Sequence, residues 1–249
     1  MNNVTAVIVT YNEEDNIGIC IKHLEFVDEI IVVDTNSTDR TQKIARNMGA
    51  RIINSDVKYP EAKKNIGMDK SKNNWILVVD ADEIITPALA GEIQKTLKDP
   101  NYDGYWIYRK NFFLGYPINH GGWESDKVIR LFKKEKSRYP DKRVHGELKL
   151  AGKAGYLKNK MEHHSYKSVD DYFTKVNRYT KWSALDRKGK KVTPGKLFAN
   201  PMGRFIKMYF LKLGFLDGTI GFVLAVTASF SVFTKYLRIY LLTAARRKK

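Results

Sequence analysis

Short apolar runs alternate with longer segments of mixed polarity through the first hundred residues. Each run is rich in Val and Ile and ends at polar residues, which is typical of strands buried on both faces. These strands are predicted at residues 4–10, 29–34, 51–54 and 75–79. Helices are predicted from the turn at residues 11–14 to about His23, over residues 39–48 and 60–70, and from Thr86-Pro87 onward. This alternation predicts an α/β fold with a doubly wound, mostly parallel sheet.

After Pro100 the pattern changes. Strands are predicted at residues 105–108 and 128–132, separated by an aromatic, glycine-containing loop at residues 112–123. A further helix begins at Val169, where Tyr172, Val176 and Tyr179 form a helical stripe. We therefore predict one domain at residues 1–185, with halves at 1–100 and 101–185, then a basic linker at 186–203 and an amphipathic helical tail at 204–249.

The composition fits a folded, basic protein. The chain has 249 residues, of which 43% are hydrophobic, and a net charge of +17. Such a charge indicates an anionic binding partner: nucleic acid, a membrane surface or phosphorylated substrates. The single cysteine, Cys20, excludes an internal disulfide and a multi-cysteine zinc site, which fits a reducing compartment. The N-terminus enters the first strand directly, so we expect no signal peptide.

Candidate chemistry begins at the apolar strand of residues 75–79, which runs directly into Asp80, Asp82 and Glu83. Open α/β sheets place their ligands at the carboxyl ends of the strands. Carboxylates at positions 80 and 82 of an extended segment point to the same side, so both could reach one hard cation such as Mg²⁺ or Mn²⁺. The alternative is that Asp82 caps the next helix, although Thr86-Pro87 is the better helix start.

Polar residues follow the other parallel strands as well. The segment Thr10-Tyr11-Asn12-Glu13 follows the first strand, and Asp34 ends the second. Parallel strands bring these positions to one edge of the sheet, so they are predicted to surround one cleft. An alternative for Asp34 is that it only braces the turn at Asn36-Ser37.

The motifs together resemble the family 2 inverting glycosyltransferases of the GT-A fold, and in particular the bacterial enzymes that build lipopolysaccharide core or capsule. The resemblance covers about residues 1–185. It rests on VIVTYNEE, EIIVVDTNSTDRT, EAKKNIGMDKSKNNWILVVDADE, ESDKVIRLFKK and RVHGEL. It implies a nucleotide-sugar half at residues 1–100, an acceptor half at 101–185, and transfer of a sugar from a nucleotide sugar.

The resemblance also implies roles for individual residues. Asp80 and Asp82 match the DxD motif, which binds Mn²⁺ or Mg²⁺ (manganese or magnesium) and the donor diphosphate. The implied nucleotide-sugar residues are Thr10, Tyr11, Glu13, Asp34, Lys64, Asn65 and Asp80. Many members have a second Asp where this chain has Thr35, which leaves the choice of UDP over another nucleotide open.

The acceptor hydroxyl must lose its proton as it attacks, so one carboxylate should act as a general base. The candidates are Glu124, Asp126 and Glu147. We favour Glu147, because VHGEL falls where the family's base motif falls, and Asp126 is second. The histidines at positions 145, 163 and 164 lack the spacing of a zinc site.

The tail is the most informative segment outside the cleft. Residues 218–234 carry no charge, and this run is near the lower limit for crossing a bilayer. Basic residues and tyrosines flank it, which favours a helix lying in the membrane interface. The alternatives are an amphipathic helix pair packed on the domain, or a spanning helix.

We therefore predict a metal-dependent transferase at the cytoplasmic face of the membrane. Its partners would be a nucleotide sugar, favoured as UDP-linked, a lipid-linked or lipopolysaccharide-type saccharide acceptor, and an anionic membrane surface bound through the tail. One rival is a nucleotidyl or phosphosugar transferase, but these usually carry a glycine-rich basic loop where this chain has Tyr11-Asn12-Glu13-Glu14. The other is a nucleic-acid-binding protein, but much of the positive charge lies after residue 130, beside apolar tail sequence.

Overall fold

A computed structural model describes residues 2–57, 59–140, 146–187 and 192–244. The chain forms two compact units. The first comprises Met1–Arg109 and Lys127–His163, and the second comprises Lys110–Asp126 and His164–Lys249.

The order of elements confirms the predicted alternation. The strands are β1 Val4–Thr10, β2 Glu29–Asp34, β3 Arg51–Asn54, β4 Trp75–Asp80, β5 Glu83–Ile84, β6 Gly104–Phe113, β7 Tyr116–Pro117, β8 Lys127–Lys133, β9 Ser137–Arg138, β10 Lys149–Leu150, β11 Ala154–Tyr156 and β12 Met161–His164. The α-helices are α1 Glu14–Lys22, α2 Thr41–Asn47, α3 Pro60–Lys70, α4 Pro87–Lys98, α5 Val169–Asp186, α6 Pro194–Ile206 and α7 Gly218–Ala244. At α4, the Thr86 hydroxyl accepts a hydrogen bond from Leu89 N (3.3 Å), as expected for the predicted cap.

The main sheet has the order β3-β2-β1-β4-β8-β6-β12-β5. The pairs β1–β2, β1–β4 and β2–β3 are parallel, whereas β8 runs antiparallel to both β4 and β6. Apolar side chains on both faces of β1 and β4 are buried, which explains why these strands appear in the sequence as unbroken apolar runs. The parallel strands therefore end together at one edge, where Thr10, Asp34 and Asp80 lie.

Helix α3 packs closely on the strands beneath it. A Cβ added at Gly67 would clash with Val7 Cγ1 and lie 3.1 Å from Val33 Cγ2. We expect Gly67→Ala to lower the free energy of unfolding by about 1–3 kcal/mol, because the helix must move away from the sheet. Gly91→Ala is the control, since nothing lies within 4 Å of a Cβ at that helical position, and it should stabilise by up to about 1 kcal/mol. Urea unfolding would measure both, and equal effects would contradict this packing.

The second unit has its own apolar core. Helix α5 is capped by Ser168, whose Oγ accepts a hydrogen bond from Asp171 N (3.1 Å). The predicted stripe is confirmed at Tyr172 and Val176, which are buried, but is wrong at Tyr179, which is 39% exposed. The buried stripe continues instead through Thr180 and Ala184, because a spacing of four keeps side chains on one face of a helix.

The structure also differs from the predicted linker. Residues 186–203 were predicted to be a basic linker, but α6 covers residues 194–206. Pro194 lies in the first turn, where its missing N–H costs nothing. The Ser229 hydroxyl on α7 donates to the carbonyl oxygen of Pro201 (2.7 Å), so contact with α7 holds α6 in place. Residues 188–191 of the predicted linker lie outside the described part of the chain.

Candidate active site at the carboxyl ends of the parallel strands

The ends of β1 and β2 are joined through Asp34, which is fully buried. Its carboxylate accepts hydrogen bonds from Thr10 Oγ1 (2.7 Å), Ser37 N (2.7 Å), Ser37 Oγ (2.6 Å) and Gln42 Nε2 (2.6 Å). These four bonds, two on each oxygen, agree with the interpretation that Asp34 braces the turn after β2. Contact between Asp34 and a nucleoside stays a prediction.

A buried lysine also lies at these strand ends. Lys63 Nζ donates to the carbonyl oxygen of Thr10 (3.1 Å) and to Thr35 Oγ1 (2.8 Å). Thr35, the position where the sequence departs from the family pattern, therefore accepts a hydrogen bond from a lysine ammonium group. Tyr11, the residue after Thr10, is 48% exposed. The Glu13 carboxylate accepts a hydrogen bond from Asn16 Nδ2 (2.7 Å) at the start of α1.

The end of β4 is organised by an ionic network around two carboxylates. Asp80 forms ion pairs with Lys64 Nζ (3.1 Å), with Arg130, and at 3.8 Å with Arg109. Glu83 is completely buried and pairs with Arg109 (2.6 Å) and Arg130 (2.7 Å). Its second oxygen accepts from Asp80 N (2.9 Å), which fixes the turn between β4 and β5.

The network keeps both carboxylates ionised. Burial alone would raise the pKa of Asp80, but the positive charges of Arg130, Lys64 and Arg109 outweigh burial and hold that pKa well below its ordinary value of 3.8. Burial acts in the same way on Glu83, and Arg130 and Arg109 lower its pKa from the ordinary 4.5 despite the nearby charge of Asp80. The two arginines therefore act as fixed counterions for the acidic turn.

These lowered pKa values predict acid sensitivity. A carboxylate whose pKa is lower in the folded protein adds stability above its unfolded pKa, and that stability is lost as the pH falls through the folded value. The free energy of unfolding should therefore fall as the pH drops from about 4.5, the ordinary value for Glu83. Urea unfolding at several pH values should show a shallower fall for Glu83→Gln. The exposed control Glu25→Gln should keep the wild-type slope, and an unchanged slope in Glu83→Gln would contradict the network's role.

Two candidate ligands for a divalent cation lie beside this network. Because β5 pairs with β12, His163 lies opposite Glu83, and its Nε2 is 3.9 Å from Asp82 Oδ1. Oxygen and imidazole donors suit Mn²⁺, so these two side chains are candidate ligands for that ion. Both oxygens of Asp80 form ion pairs, with Lys64 and Arg130, and metal binding by Asp80 stays a prediction. Among the described residues, no group of three or more His, Cys, Asp or Glu forms a complete metal site, so the remaining ligands would come from substrate or water.

The other predicted residues lie in different surroundings. Asn65 is bound to the backbone of Tyr139 by two hydrogen bonds of 3.0 Å, so it supports the chain after β9. Glu147 is exposed, and the preceding Gly146 N donates to Glu61 Oε1 (3.1 Å) in the first turn of α3. Asp126 belongs to the second unit, where it accepts from Asn111 Nδ2 (3.2 Å). His145 lies outside the described residues.

Three residues of this site were missed in the sequence. Arg109 and Arg130 lie in strands that are otherwise largely apolar or aromatic. A charged residue inside the apolar run Val128 to Phe132 is nevertheless a signal that the residue is buried with a partner. The position of His163 opposite Glu83 depends on the pairing of β12 with β5, which local sequence does not specify.

Comparison with known proteins defines the class. The family model described as "Glycosyl transferase family 2" matches residues 5–164. The chain therefore belongs to glycosyl transferase family 2 and is a transferase enzyme.

Particular relatives agree with this assignment. An uncharacterized glycosyltransferase of Rickettsia typhi is 28% identical, over 96% of this chain and 87% of that protein. The lipopolysaccharide core biosynthesis glycosyltransferase LpsC of Rhizobium meliloti is 26% identical, over 95% of this chain and 92% of that protein. The crystal structure of S. aureus TarS in complex with UDP-GlcNAc has a TM-score of 0.51 and 13% identity, over 99% of this chain and 92% of that one. At that identity the likeness concerns the fold, which is GT-A, as the sequence predicted.

Proposed function

We propose that the enzyme transfers one sugar from a UDP-sugar to a lipid-linked or lipopolysaccharide-type saccharide, with inversion at the anomeric carbon and with a divalent cation. The observation that carries the proposal is the grouping of Asp82, His163, Asp80 and Lys64 at the end of β4. Two potential metal ligands and a lysine beside a fixed carboxylate suit a diphosphate, which needs a cation and further positive charge.

Each residue of the site has its own proposed role. Asp82 and His163 would hold the cation, which supplies Lewis-acid stabilisation of the charge that develops on the leaving diphosphate. Lys64, on the first turns of α3, adds a second positive charge. Arg130 and Arg109 act on Asp80 and Glu83 and keep the turn that carries Asp82 in one conformation. They are positioning residues.

Glu147 is the proposed general base. The acceptor oxygen attacks the anomeric carbon as the bond from that carbon to the diphosphate oxygen breaks, and the electron pair leaves with the diphosphate. The acceptor proton passes to the Glu147 carboxylate. The hydrogen bond from Gly146 to Glu61 supports this role, because it ties the neighbouring residue to the first turn of α3, close in sequence to Lys64.

The donor and acceptor classes rest on further observations. The Thr35 hydroxyl, which accepts a hydrogen bond from Lys63, is the proposed contact for the nucleobase of the donor. UDP is the first nucleotide to test, because the fold is shared with a protein crystallised with UDP-GlcNAc. The named activity of LpsC favours a lipopolysaccharide-type acceptor. Such an acceptor would be used at the cytoplasmic face of the membrane, where nucleotide sugars are available.

A donor panel tests the proposal. The protein is incubated with UDP-, GDP-, dTDP- and ADP-sugars, Mn²⁺ and lipid-linked saccharides extracted from bacterial membranes, and the released nucleoside diphosphate is measured. We expect acceptor-dependent release from a UDP-sugar, and a product of inverted anomeric configuration by NMR. Release from a different nucleotide would overturn the UDP assignment. No release from any donor, with the folded protein and active controls, would overturn the proposed reaction.

A further inference from the structure

Large apolar side chains are exposed on one part of the second unit. We call this set the apolar face. It consists of Phe173 on α5, Phe198, Met202 and Ile206 on α6, Phe210 and Leu211 in the π-helical turn that follows, and Phe222, Val226 and Phe230 on α7. Phe198 and Leu211 are each 73% exposed. Single exposed apolar residues are ordinary in soluble proteins, but a contiguous set marks a binding surface.

The apolar face is continuous from α5 to α6. The ring of Phe173 lies 6.1 Å from that of Phe230. At the other end of the face, Phe222 contacts the rings of Phe205 (5.9 Å) and Tyr209 (5.6 Å), and Phe205 lies 6.2 Å from Phe210. On α6 and α7 the exposed residues recur at a spacing of four, so each helix presents one apolar stripe.

The opposite side of α7 is already occupied. Leu224, Ala225 and Ile239 are no more than 2% exposed, and the first two belong to a core with Tyr172 and Val176 of α5. The segment Gly214–Thr243 is long and apolar enough to cross a membrane by length and composition. A spanning helix would have to leave these core contacts, whereas a helix lying in the interface keeps them and places only its free stripe in lipid.

Charge identifies the partner. Asp217 is the only acidic residue after Asp186, and its carboxylate is bound by His120 N (2.9 Å) and His120 Nδ1 (2.8 Å). Lys196 on α6, Lys207 in the π-helical turn and Lys212 directly after that turn are exposed. A second copy of this chain would bring the same positive charges against them, which repel. An anionic bilayer offers both acyl chains and negative headgroups.

We infer that the apolar face lies in the interface of an anionic bilayer, with α6 and α7 parallel to the membrane plane. The basic residues of α6 and the following turn bind the headgroups, and the side chains of the apolar face enter the outer acyl region. This surface extends the proposed function, whose acceptor is carried on a lipid, but it binds membranes independently of any donor.

Vesicle flotation tests the inference with the full chain. Vesicles of phosphatidylethanolamine and phosphatidylglycerol should bind the protein, and vesicles of phosphatidylcholine should bind it far more weakly. Lys207→Gln with Lys212→Gln should weaken binding roughly thirtyfold, from the usual contribution of two basic residues at an anionic surface. Phe198→Ser with Leu211→Ser should weaken it at least as much. The matched controls are Lys22→Gln with Lys43→Gln, and Ile19→Ser, all exposed in the first unit.

The outcomes separate this inference from its rivals. Weakened vesicle binding by the lysine and the apolar-face variants, with unchanged UDP binding by calorimetry, would support the membrane surface. Absence of UDP binding by the wild-type protein would contradict the proposed function but not this inference. Equal loss in the controls, or no vesicle binding at all, would overturn the inference. Retention of the protein on membranes after alkaline carbonate washing would show a spanning helix instead. A concentration-dependent dimer abolished by Leu211→Ser, without vesicle binding, would show that a second copy covers the face.

Discussion

Replacing Arg130 by methionine is expected to lower the free energy of unfolding by about 3–5 kcal/mol. Arg130 is 2% exposed and pairs with both Asp80 and Glu83. Without it, Glu83 stays completely buried with Arg109 as its remaining cation in the network. Loss of a counterion from a buried carboxylate costs much more free energy than loss from an exposed carboxylate, because water cannot solvate the buried charge.

The control for Arg130 is Arg138→Met. Arg138 also pairs with an aspartate, Asp69, but both side chains are more than half exposed. Its loss should change stability by no more than about 1 kcal/mol. Urea unfolding at neutral pH would measure both variants. A loss below about 1 kcal/mol for Arg130→Met would mean that the network contributes little to the fold, and that Asp80 does not depend on it.

Glu147→Gln is expected to reduce the rate of transfer by about 10²–10⁴-fold. Glutamine keeps the size and polarity of the side chain but cannot accept the acceptor's proton. Donor binding should be unchanged, because the proposed diphosphate contacts come from Lys64, Asp82 and His163. The measurement is the rate of acceptor-dependent nucleotide release, together with the dissociation constant for UDP from calorimetry.

Two comparisons make the Glu147 result specific. Asp126→Asn tests the second candidate for the base, and Glu135→Gln changes an acidic residue of the first unit that has no proposed role. A large loss in Asp126→Asn with full activity in Glu147→Gln would reassign the base. Full activity in both would mean that neither carboxylate takes the proton.

The sheet was predictable because its information is local. Each parallel strand is a short apolar run closed by polar residues, and burial on both faces leaves few other patterns. Residues 4–10 and 29–34 form strands with the bounds that the pattern indicated. The edge of the sheet that carries Asp34 and Asp80 followed from the parallel arrangement alone.

The partners of the acidic turn were not predictable in this way. Arg130 lies 47 residues from Glu83 and 50 from Asp80 in sequence. Their contact depends on β8 running antiparallel to β4 beside it, which local patterns do not specify. The hydrogen bonds that saturate Asp34 likewise come from Gln42 and Ser37 as well as Thr10, so a residue's position at a strand end does not reveal whether its oxygens remain available.

Helix α6, which begins in the predicted linker, was not predicted from the local sequence either. The basic sequence of residues 186–203 indicated a linker. Helix α6 forms there because its buried Pro201 packs beside α7 and accepts the Ser229 hydroxyl. Tertiary contact overrode local propensity, as it commonly does for short helices.

Calorimetric titration of UDP tests the central claim most directly, namely that the end of β4 binds a nucleoside diphosphate together with a cation. Wild type is titrated with Mn²⁺ and without metal, and Asp82→Ala and His163→Ala are titrated with Mn²⁺. Asp69→Ala, a change at an exposed aspartate of α3, is the control. We predict binding by wild type and Asp69→Ala that requires Mn²⁺, and at least about a tenfold loss in the other two variants. Equal UDP binding with and without metal, unchanged in Asp82→Ala and His163→Ala, would contradict the account.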